Sequence, residues 1–155
     1  MVKQRSLRLI SSNGILAMKP DGMTICASSF GPQETMDRLA SAVTKRGITI
    51  LARIDHAAAA AKVGLALRAT EVMIFGNPRA GTPLMQAVQT IGIDLPLKAL
   101  VWQDEGGLTR LAYNDPRWVA GRHNAVAGND RLLAAMTDAL AAMANEATTF
   151  NEPAS

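Results

Sequence analysis

Apolar positions recur at helical spacing in two stretches of the chain and crowd into short runs elsewhere. Met36, Leu39, Ala40 and Val43 fall on one face of a segment that Gly31-Pro32 opens and Lys45-Arg46-Gly47 closes. Proline at the first position, Glu34 near the positive end, two cations in the last turn and a glycine beyond them predict a helix over 32–46. Leu133, Met136, Leu140 and Met143 repeat the pattern and predict a second long helix over 129–146, with Asn129 as its cap.

The short runs predict strands. Met23–Ser28 follows the turn Pro20-Asp21-Gly22, and Ile48–Ile54 is rich in β-branched residues. Glu71–Phe75 is almost continuously apolar, as expected of an interior strand. Leu97–Gln103 and Leu108–Tyr113 flank Asp104-Glu-Gly-Gly107 and predict a hairpin. Asp55 caps a short helix over His56–Val63 that Gly64 ends, and Asn114-Asp-Pro116 starts another reaching about His123. Thr82-Pro83 reads as the cap and first residue of a further helix. Two long amphipathic helices with mostly antiparallel strands predict an α+β two-layer sandwich.

Composition sets the scale. The 155 residues, 48% apolar and 19% charged, suffice for one domain with a true core. We expect that domain over 23–147, an N-terminal arm over 1–22 and a fraying tail over 148–155. Within the arm, Asn13-Gly14 between apolar segments predicts a type I′ hairpin, with a frayed terminus as the alternative. Lys3, Arg5, Arg8 and Lys19 against Asp21 account for the whole net charge of +3, so residues 23–155 are balanced. A balanced domain that is 4% aromatic argues against a nucleic-acid partner. No apolar run approaches the ~20 residues of a membrane span, and one Cys, Cys26, excludes an intrachain disulfide. The expectation is a soluble, cytoplasmic chain with no membrane partner. A small sheet has edges and an open face to cover, which predicts a homodimer through one or the other.

Several motifs, taken in order, carry a resemblance. Ile54-Asp-His-Ala57, Ala61-Lys-Val-Gly64, Phe75-Gly-Asn-Pro78, Gly81-Thr-Pro-Leu-Met85, Asp94-Leu-Pro96 and Tyr113-Asn-Asp-Pro116 resemble domain-of-unknown-function family 302. The resemblance covers about residues 23–147. It implies a TATA-binding-protein-like order of strand, helix, four strands and helix. It implies no activity, because the family is named for lacking one.

Candidate chemistry is sparse. In Gly76–Pro83, two glycines permit unusual backbone and a Thr82 helix end would leave amides free beside Arg79, which suits a small anion. Gly76, Asn77, Arg79, Gly81 and Thr82 are therefore the ligand-binding candidates, and a tight strand-to-helix connection is the plainer reading. Asp94 is either a turn residue or a buried acid. His56 and His123 could form an acid/base pair, or ligate a metal with Asp94, if the fold brings them together. Neither shows metal-ligand spacing, and the plainer reading puts His56 in the first turn of its helix and His123 at the exposed end of its own, so no metal or cofactor is expected. Cys26 reads as a buried inert thiol, and Trp102 and Trp118 as core or interface anchors. Two functions follow. The first is a non-catalytic small-ligand-binding or interaction module working as a homodimer. The alternative is an enzyme for a small anionic substrate with a histidine general base, its catalytic candidates being His56, His123 and Asp94.

Overall fold

A computed structural model of the chain describes residues 9–10 and 17–150. Strands β1 (Leu9–Ile10) and β2 (Ala17–Met18) pair antiparallel, Leu9 with Met18 and Ile10 with Ala17. That register is centred between Asn13 and Gly14, which lie outside the described residues.

The main sheet has five strands, all antiparallel to their neighbours. They are β3 (Met23–Ala27), β4 (Thr49–Asp55), β5 (Thr70–Gly76), β6 (Leu97–Gln103) and β7 (Thr109–Asn114), in the spatial order β3-β7-β6-β5-β4. β5 pairs on both sides, as its continuous apolar run requires, and β6 with β7 forms the expected hairpin. β3 and β4 are consecutive in sequence but occupy opposite edges, so α1 (Pro32–Lys45) must carry the chain across the sheet.

Helix α1 opens with Pro32 and stops at Gly47, whose φ of +70° gives the left-handed exit a side chain would resist. It packs with α5 (Asp130–Thr148) on one face of the sheet. Met36, Leu39, Val43, Leu140 and Met143 meet Met73, Phe75, Val101 and Leu111 there. Arg46 at the end of α1 bonds Glu146 of α5 at 2.6 Å.

Helix α5 continues to Thr148, past the expected end at 146, because Ala144, Ala147 and Thr148 are buried against the core. The Thr148 carbonyl accepts from the Ser29 amide at 2.8 Å, and Phe150 packs edge-on against Phe30. These contacts pin the start of the tail that the sequence led us to expect frayed. Asn129 occupies the cap position, but its side chain donates to the Ala125 carbonyl instead of capping.

A second apolar cluster lies beyond the end of the sheet. Helix α3 (Pro78–Ala87), a 3-10 turn (Gln89–Ile93) and α4 (Pro116–Arg122) contribute Leu84, Ile91, Val119 and Ala120. Leu133 and Met136 of α5 close it. Asp115 caps α4 by accepting from the Arg117 amide at 2.8 Å.

Side chains alternate across a strand, so the sheet face away from α1 and α5 carries the other residues. Ile54, Val72, Leu100, Ala112 and Ile25 are cross-strand neighbours in turn on that face, an apolar row crossing all five strands. Helix α2 (His56–Lys62) follows β4 at the sheet edge, capped by Asp55 as expected, through a 2.8 Å bond from the Ala58 amide.

Candidate functional site

The segment Gly76–Pro83 is folded differently from the sequence reading. The helix starts five residues early: Asn77 is the cap, Pro78 takes the first position, and Pro83 lies inside α3. Two start signals compete here, Asn77-Pro78 and Thr82-Pro83, and the chain uses the first. Pro83 in the interior removes one backbone donor from the helix. Thr82 is consequently not a cap.

This start alters the anion argument. Pro78 has no amide hydrogen, Asn77 Oδ1 accepts from the Arg79 amide at 3.0 Å, and the Asn77 carbonyl accepts from Ala80 and Gly81 at 2.9 and 3.0 Å. The donors at this helix end are thus used within the turn. The glycine argument changes too. Neither Gly76 nor Gly81 has positive φ. Gly76 instead makes a close approach: a Cβ there would lie 3.1 Å from Pro96 Cβ, so the proline would have to shift by a few tenths of an ångström to admit a side chain. A Cβ on Gly81 would meet only Leu95 Cδ1 and Met85 Cε, both at 3.8 Å.

The same residues line a groove of about 560 Å³ at one end of the sheet. Gly76, Asn77, Pro78, Gly81, Thr82 and Met85 form one wall; Leu132, Ala135 and Ala139 of α5 form the other. Pro96 and Leu97 at the start of β6, with Ile48, Thr49 and Leu51 around the start of β4, complete it. Its lining is overwhelmingly apolar because it lies where the two clusters meet: Met143 belongs to the first, Met85, Leu95 and Met136 to the second, and Leu97 packs against both. Of the five ligand-binding candidates, Gly76, Asn77, Gly81 and Thr82 line the groove. Arg79 is exposed beside it, flanking Thr82 at helical spacing of three.

The catalytic candidates divide. His56 is exposed at the start of α2. His123 and Asp94 come together: Asp94 Oδ2 lies 2.5 Å from His123 Nε2, and Arg122 donates to both Asp94 oxygens at 3.0 Å. Thr90 Oγ1 lies 3.0 Å from His123 Nδ1. Asp94 is therefore an ion-pair partner and not merely a turn residue. A hydroxyl, a histidine and a carboxylate in line are the parts from which nucleophilic sites are built. Here the His123 side chain is 9% exposed, and neither histidine lines the groove. Asp94 borders a separate cavity of about 10 Å³, room for one water. The cluster ties the 3-10 turn and the start of β6 to the end of α4.

Cys26 faces the α1 and α5 side of β3, and burial raises its thiol pKa above the usual value while Lys19 opposes the shift. A raised thiol pKa suits an inert core residue. Among the described residues, no group of three or more His, Cys, Asp or Glu is placed to hold a metal ion. Among them, too, no helix is long and apolar enough to cross a membrane. The groove itself was not legible in the sequence, because its far wall comes from Leu132, Ala135 and Ala139, about 50 residues downstream.

Comparison with known proteins agrees with this architecture. The family described as "Domain of unknown function DUF302" matches residues 24–143. A crystal structure of an uncharacterized conserved DUF302 protein from Bacillus stearothermophilus superposes with a TM-score of 0.74 at 22% identity, covering 83% of this chain and 99% of that one. Two curated relatives bear the name fluoride-specific ion channel FluC 1. The one from Brucella suis biovar 1 (strain 1330) is 43% identical over 115 residues, 74% of this chain and 45% of the relative. The one from Brucella abortus biovar 1 (strain 9-941) is 43% identical over 115 residues, 74% of this chain and 43% of the relative. The chain thus spans less than half the length of these relatives.

Proposed function

The chain belongs to the DUF302 family, and from that premise we propose that it is a non-catalytic small-ligand-binding module that works as a homodimer. The observation that carries the reading is the apolar groove of about 560 Å³, a volume within the usual range for small-molecule sites. Ligand entry would remove apolar surface of both partners from water, worth roughly 25 cal/mol per Å² before the costs of association. Thr49, Asn77 and Thr82 are the polar points on its walls. Arg79 stands at the edge and has no ion pair among the described residues. This pattern suits an amphipathic ligand, its alkyl part in the groove and a carboxylate towards Arg79. The anion expected from the sequence then becomes a head group held by a side chain and not by helix amides.

The enzyme alternative needs a histidine base within reach of a pocket at Gly76–Pro83. Neither histidine lines the groove, so that reading has no observation in its favour. The dimer half of the proposal is supported by exposed Ile54 and half-buried Val72, Leu100 and Ile25 on the sheet face that neither α1 nor α5 covers, with Ala112 of the same row already buried. A fluoride-channel activity is not carried over from the relatives, since more than half of each lies outside the match.

Calorimetric titration with decanoate and decanol tests the ligand reading. Both should bind, decanoate roughly twofold to fivefold more tightly, as an exposed ion pair allows. Arg79→Ala should erase that difference, and Gly81→Leu should block both ligands by filling the groove. Absence of binding by either molecule would overturn the reading.

A further inference from the structure

We infer that a second copy of this chain covers the surface formed by α2 and the segment after it, with the two α2 helices antiparallel across a two-fold axis. The inference rests on the homodimer reading above and names its interface. Val63, Leu65 and Leu67 are 72%, 66% and 49% exposed, and Ile54, which enters α2 from the sheet, is 41% exposed. Four large aliphatic side chains open to water within fourteen residues form the kind of patch that marks an interaction surface on a soluble domain.

Helix α2 supports the same assignment. It has no buried residue at all, although most helices of its length exist only because one face is packed. Its five alanines allow a second helix to approach at the short end of the usual 8–10 Å interaxial range.

The charges select the occupant. Asp55, Ala59, Lys62 and Val63 lie on one stripe of the helix, with the acid at its start and the base at its end. An isologous, antiparallel pair sets Asp55 of each copy against Lys62 of the other, leaves the alanines at the centre and puts Val63 at either end of the contact, beside the residues that precede the other helix. The opposed helix dipoles reinforce this orientation. Ile54 links the patch to the apolar row on the sheet, so the interface can extend to the larger area a stable dimer needs, about 800 Å² from each partner.

Light scattering on the full chain and disulfide trapping test it together. The wild type should have twice the chain mass at micromolar concentration. Leu65→Glu combined with Leu67→Glu, at exposed positions where folding is unaffected by circular dichroism, should dimerise at least tenfold more weakly. In a Cys26→Ala background, Ala59→Cys should form an intermolecular disulfide under mild oxidation, and Ala27→Cys on the opposite sheet edge should not. A monomeric wild type would overturn the homodimer reading and this inference with it. A dimer that survives the double substitution, or that is trapped by Ala27→Cys and not by Ala59→Cys, would keep the homodimer and overturn the α2 interface.

Discussion

Asp94 and His123 are 29 residues apart in sequence and 2.5 Å apart in space, and between them they fasten the start of β6 to the end of α4. With Thr90 on the other ring nitrogen, the imidazole has both nitrogens engaged. A side chain only 9% exposed can be held there because both its polar atoms have partners.

Removing one partner should therefore cost stability and leave ligand binding in place. Asp94→Ala strands the imidazole and releases Arg122, with an expected loss of ~1–3 kcal/mol in urea unfolding. Decanoate affinity should change by less than twofold. A large loss of affinity at full stability would instead make the cluster part of the binding site.

The helix start at Asn77 makes a prediction that the sequence alone would reverse. Asn77→Ala removes the acceptor of the Arg79 amide and should cost ~1 kcal/mol. Thr82→Ala, inside the helix, should change stability by less than ~0.5 kcal/mol. Equal losses at the two positions would contradict the observed start.

Gly22 has φ of +71°, and a Cβ added there would sit 2.1 Å from two ring carbons of Trp118. Gly22→Ala should destabilise by ~1–2 kcal/mol for the left-handed backbone alone, with the ring contact adding to it. In a double-mutant cycle with Trp118→Ala the contact part should disappear and the backbone part remain. Additive losses would show that the ring yields freely.

The Arg46–Glu146 bond between α1 and α5 gives a pH dependence with a definite sign. The hydrogen bond from Arg46 lowers the Glu146 carboxyl pKa; desolvation opposes this, and the charges of Arg46 and Lys45 assist. A carboxyl depressed in the folded state stabilises above its unfolded pKa, near ~4.3, and loses that stability as pH falls through the lower folded value. The side chains are 27% and 30% exposed, so the effect is small, ~0.2–1 kcal/mol. Glu146→Gln should lower the thermal midpoint slightly at pH 7. The gap to wild type should close below about pH 4. A gap that widens on acidification would reverse the sign.

What the sequence made legible was local. Gly31-Pro32 and Gly47 bracket α1, Asp55 caps α2, and Asp104–Gly107 turns the β6–β7 hairpin, because backbone conformation and nearby hydrogen bonds decide each of these. Asn77-Pro78 and Thr82-Pro83 satisfy the same local rules, so sequence could not rank them. The choice is tertiary: with the start at Asn77, Leu84 reaches the second cluster and Gly81 and Thr82 face the groove. His123 and Asp94 were named as candidates, yet only the packing of α4 against the segment before β6 brings them into contact. The groove is less legible still, since it is a junction between two cores and no motif encodes a junction.

The most direct test of the ligand site is where decanoate binds. In two-dimensional amide NMR of the labelled chain, titration should shift Gly76, Gly81, Thr82 and Ala135 together, saturably, with His56 and Leu65 unmoved. Shifts confined to α2 and the segment after it, or no saturable shifts at all, would contradict the groove as the binding site.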